Sequence, residues 1–87
     1  MFSRYEEAIE DLELGIEIFK ALGRKKKGTE QKRKEWAERI WKSLKFLYGN
    51  MHTEIISSCL GSMPLYPNKW FINYLEEDLR LAIKRRR

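Results

Sequence analysis

Apolar residues in this chain recur at steps of three and four, and over no useful length at steps of two. Tyr5, Ala8, Ile9, Leu12, Ile16 and Phe19 follow that rule, as do Trp36, Ala37, Ile40, Trp41, Leu44, Leu47 and Tyr48. A helix of 3.6 residues per turn gathers such positions on one face, whereas a half-buried strand needs alternation. The chain is therefore predicted to be all-α, a compact bundle of about four helices over roughly residues 4–22, 30–48, 53–60 and 68–85.

Punctuation supports those limits. Ser3 followed by Glu6 has the form of a capping box opening the first helix. Gly23, the pair Gly49–Asn50 and Gly61 are suited to helix ends, and Pro64 and Pro67 forbid a continuous helix through "GSMPLYP". Ile55, Ile56, Cys59 and Leu60 are the expected apolar positions of the short third helix; Trp70, Phe71, Tyr74, Leu75, Leu79 and Ala82 are those expected to face inward from the last, with Tyr66 and Trp70, beside the proline turn, the aromatics expected to be most exposed. Leu14, Ile18 and Ala21 widen the apolar face of the first helix beyond one contact. It is predicted to touch two neighbours or a second copy, making these residues, with Tyr66, candidate partner or homodimer contacts.

Eighty-seven residues are expected to form one domain spanning 1–87, with a basic turn at 23–29 and a basic tail at 84–87. A hydrophobic fraction of 43% is too high for a disordered chain, and 36% charged residues is too many for a membrane span. The longest uncharged run, 55–68, contains both prolines, so no transmembrane segment is expected. The N-terminus lacks the basic-then-apolar pattern of a secretion signal, and the lone Cys59 allows no internal disulfide. An intracellular location in cytoplasm or nucleus is the expectation.

Charge is segregated. The net charge of +5 conceals −4 over residues 1–22, +7 over 23–49, −2 over 50–83 and +4 over 84–87. That asymmetry is the chief functional signal.

No motif for catalysis or for a cofactor survives scrutiny. "GRKKKGT" has the glycine spacing of a phosphate loop, but the lysine after the second glycine is missing and a helix precedes it where a strand belongs. His52 and Cys59 stand seven residues apart, two turns along one helix, without the further ligands of a metal site or the third group of a nucleophilic triad. Cys59 reads as core, and His52 as a surface residue. The acidic runs "EEAIEDLE" and "EED" fall on faces expected to be wet, where paired carboxylates keep ordinary acidity. "KWFIN" at 69–73 resembles the recognition-helix signature of homeodomains, whose asparagine reads adenine. Pro67 would fall inside that recognition helix, and the following "YLEEDLR" is acidic where that family meets phosphate, so membership does not follow. The expectation is a protein that is not an enzyme, with no cofactor and no metal.

The basic block remains. Arg24, Lys25, Lys26, Lys27, Lys32, Arg33 and Lys34 cluster at the start of the second helix, and Arg39, Lys42 and Lys45 extend them along its outer face. Cations there oppose the helix dipole, so helix stability does not account for them. The expected role is contact with nucleic-acid backbone, DNA or RNA, with strong salt dependence. The competing expectation is a protein–protein interaction module, a small regulator or inhibitor, whose basic block docks an acidic protein. The plainest alternative is a solvated turn.

Overall fold

Residues 4–56 and 63–85 are described in the computed structural model, and they form four helices: α1 Arg4–Leu22, α2 Glu30–Tyr48, α3 Asn50–Ile56 and α4 Lys69–Lys84. The bounds of α1, α2 and α4 match the apolar periodicity to within a residue at each end. Asn68 caps α4, its side chain accepting the Phe71 amide at 2.8 Å, and Pro67 lies just outside.

Contacts along α1 set the topology. Arg4 lies over the Phe46 ring at 5.5 Å, Gly15 abuts Ile40 and Trp36, and Arg33 sits 5.9 Å from the Phe19 ring. Partner numbers fall as α1 advances, so α1 and α2 are an antiparallel hairpin. The Tyr5 hydroxyl donates to the Ala82 carbonyl at 3.0 Å, while Lys20 meets Glu76 at 3.0 Å, which places α4 antiparallel to α1 on its other flank. Helix α1 thus has two neighbours, which cover Ile18 in part and leave Leu14 and Ala21 exposed. Leu12, Ile16, Ile40, Leu44, Leu75 and Ala82 are almost wholly buried between the three long helices. Each such Leu or Ile contributes about 1.5–3 kcal/mol of apolar transfer.

Several expectations are corrected. The short helix begins at Asn50, not Thr53, because the Gly49 amide closes α2 on the Lys45 carbonyl at φ +98° and the next helix starts at once. Ile55 is 70% exposed. Trp70 is 67% exposed, because Phe71, Leu75 and Ala82 occupy the inward stripe of α4 and Trp70 falls about 100° away from it. Asp78, expected to be wet, shares that inward stripe and is buried. The expectations for Ser3, Cys59, Leu60 and Gly61, and for Arg86 and Arg87 of the tail, lie outside the described residues. No helix among the described residues is long and apolar enough to cross a membrane.

Candidate nucleic-acid interface

The seven-residue link between α1 and α2 is organised by a residue placed in the basic block on sequence grounds. Arg33 is 0% exposed. Its Nε donates to Thr29 Oγ1 at 3.0 Å, one terminal nitrogen to the Leu65 carbonyl at 2.9 Å, and the other to the carbonyls of Gly23 and Lys25 at 2.7 and 2.9 Å. The guanidinium plane lies 4.3 Å from the Tyr66 ring centroid. Four of its five N–H donors are therefore satisfied by neutral oxygens and its face by aromatic rings, with no carboxylate partner among the described residues. Arg33 is corrected from a phosphate contact to the internal brace of the loop, because no anion can reach it.

Thr29 completes the brace. At the start of α2 a threonine commonly accepts an amide of the first turn. Here it makes no such cap; its buried hydroxyl turns back to the carbonyls of Lys25 and Lys26, at 2.8 and 3.0 Å, while accepting from Arg33. Gly23 and Gly28 bracket the run with φ of +56° and +77°, a backbone region that side chains with a Cβ rarely enter. The result is a loop whose carbonyls at Gly23, Lys25 and Lys26 are pinned inward. Arg24, Lys25, Lys26 and Lys27 are all exposed.

The remaining cations of the block divide by their surroundings. Lys32, Lys34, Arg39, Lys42 and Lys45 are exposed on the outer arc of α2. Lys34 pairs with Glu30 at 3.7 Å, Arg39 with Glu35 at 3.8 Å and Lys42 with Glu38 at 3.5 Å, each one helical turn apart. Exposed pairs of this kind are worth only a few tenths of a kcal/mol, but they blunt the local field. Among the described residues, no carboxylate pairs with Arg24, Lys25, Lys26, Lys27, Lys32 or Lys45. The strongest uncompensated positive charge is therefore at the loop, and the helix face adds less than its cation count implies.

Of the expected partner contacts, Leu14, Ile18 and Ala21 fall at steps of four and three on one stripe of α1. Leu14 is half exposed, Ala21 is exposed and Ile18 packs partly against the core; Tyr66 is 44% exposed, with Arg33 against one face of its ring and Lys26 5.9 Å from its centroid. Leu14 also stands one turn from both Glu10 and Glu17. Self-association there would bring like charges together.

A second polar cluster joins α2, α3 and α4. His52 Nε2 lies 2.9 Å from Asp78 Oδ2, the Tyr48 ring sits 4.6 Å from the imidazole, and the Tyr48 hydroxyl donates to the Asp78 carbonyl. Burial pushes the Tyr48 hydroxyl up to about 12 and holds the Asp78 carboxyl above its ordinary range despite the nearby imidazole. Among the described residues no group of three or more His, Cys, Asp or Glu side chains could hold a metal ion. The arrangement docks α3 onto α4.

The chain matches no protein-family model, no curated protein and no solved structure. What can be said of its function rests on the geometry above.

Proposed function

We propose that this is a non-enzymatic nucleic-acid-associated protein that contacts phosphates through the loop Arg24–Lys27, aided by Lys32 and Lys45. One observation carries the reading: a buried arginine and a buried threonine hold the loop backbone while four successive cationic side chains remain exposed, with no carboxylate partner among the described residues. The guanidinium beneath the turn stabilises the link itself and also fixes its backbone. A cation cluster that meets a polyanion gains from that order, since backbone ordered in advance is entropy not lost on binding.

Fluorescence anisotropy with labelled nucleic acid at about 50 and 200 mM salt tests the reading, because phosphate contacts release counterions and weaken steeply over that range. Salt-sensitive binding that falls on charge reversal at Arg24 and Lys26 is the expected result. Absence of binding at the lower salt overturns it and leaves an acidic protein as the partner to seek.

A further inference from the structure

We propose that the nucleic acid is single-stranded, its backbone passing from the Arg24–Lys27 loop into the groove between the end of α1 and the start of α4, with one base stacked on Trp70. This inference rests on the nucleic-acid reading above and narrows it. The groove measures about 500 Å³, within the range of sites that hold nucleotide-sized molecules. Its walls carry Lys20, Arg24 and Lys69, with the single carboxylate Glu76 occupied by Lys20 at 3.0 Å. Neither Arg24 nor Lys69 has a carboxylate partner among the described residues. Arg24 belongs to both loop and groove, so the uncompensated positive surface is continuous from one to the other.

Trp70 follows Lys69 directly and leaves the groove wall. It is 67% exposed, whereas Trp36 and Trp41 are 8% and 6% exposed. Its ring leans on Tyr74 at a centroid distance of 5.6 Å and a tilt of 45°, which steadies the indole without covering it. A large aromatic surface left in water is costly. Trp70 does not itself line the groove, but it stands one residue from Lys69, where it has a use: bases of a single strand offer free π-faces, and each base stacked on an aromatic side chain contributes about 1–3 kcal/mol. A duplex hides those faces in its own stack. Cationic groove and exposed indole together therefore select the single strand.

The test compares a labelled single-stranded oligonucleotide with its duplex of equal length, using wild type, Trp70→Leu and Lys26→Glu, with tryptophan emission as a second signal. The single strand is expected to bind more tightly, to quench the emission of the surface tryptophan, and to lose about 5- to 150-fold in affinity on Trp70→Leu, the loss of one stacked base, while duplex affinity is unchanged. Circular dichroism of Trp70→Leu is expected to match wild type, since the side chain is outside the core. Salt-sensitive binding that Lys26→Glu weakens but Trp70→Leu does not, or equal affinity for duplex without quenching, overturns this inference and leaves the broader reading standing. No salt-sensitive binding to either form overturns both.

Discussion

Arg33 is the residue on which the loop depends. Replacing it with Ala would leave the carbonyls of Gly23 and Leu65 without their donor, leave Lys25 with Thr29 alone, and open a void beneath Tyr66. Unsatisfied buried polar groups cost about 1–3 kcal/mol each, so Arg33→Ala is expected to lose roughly 3–5 kcal/mol in urea unfolding, a large share of a small domain's stability. Arg33→Lys, which keeps the charge but not the planar fork, is expected to recover only a minor part. Asp78 gives a prediction of opposite sign. Its carboxyl is raised above the ordinary 3.8 chiefly by burial, with Glu77 acting in the same direction and His52 opposing. A raised acid favours folding while protonated, so its contribution is present below that ordinary value and is lost as pH rises through the higher folded value. Asp78→Asn is therefore expected to raise the thermal midpoint at about pH 7 and to leave it unchanged at about pH 3, below both values; a lowered midpoint at neutral pH would contradict this. Both residues were legible in part. Arg33 precedes Trp36 and Ala37 by three and four positions, and Asp78 lies between Leu75 and Ala82 at helical steps, so both are in phase with the apolar stripes. By their charge both read as outside, against the phase of the stripes; burial of Arg33 is possible because its guanidinium donates to distant carbonyls, which no local pattern records.

At the scale of elements, the hairpin of α1 and α2 depends on a close approach at Gly15. A Cβ there would stand 2.5 Å from Ile40 Cγ1 and 2.7 Å from its Cδ1, and Ile40 is fully buried with nowhere to shift. Alanine favours a helix interior over glycine by about 1 kcal/mol, yet overpacking a seam costs about 1–3 kcal/mol. Gly15→Ala is expected to be net destabilising in urea unfolding; a gain in stability would mean the helices are not held at this distance. The three long helices were readable because their apolar positions keep a 3.6-residue period over four turns or more. The short α3 was misplaced by three residues, since a seven-residue helix offers too few apolar positions to fix a phase and its start is set by the Gly49 turn. Trp70 was assigned inward by its apolar character, although its neighbour Phe71 holds the phase.

The whole molecule is polarised. The acidic surface of α1 directly precedes the cations at Arg24–Lys27 in the sequence, yet among the described residues no ion pair joins the two; the pairs that cross between helices are Lys20 with Glu76 and His52 with Asp78. Sequence identified the basic block but not which of its members act together, because ion pairs along α2 and the burial of Arg33 depend on three-dimensional neighbours. The most direct measurement is the slope of log affinity against log salt for single-stranded nucleic acid, in wild type, in a loop variant with Lys25, Lys26 and Lys27 changed to Gln, and in a helix variant with Arg39 and Lys42 changed to Gln. Each phosphate contact contributes about −0.7 to the slope for a single strand, so the loop variant is expected to lose about 2 from its magnitude, while the helix variant, whose cations already pair with Glu35 and Glu38, loses much less. An unchanged slope in the loop variant, or binding indifferent to salt in wild type, would contradict the assignment of Arg24–Lys27 as the phosphate contact.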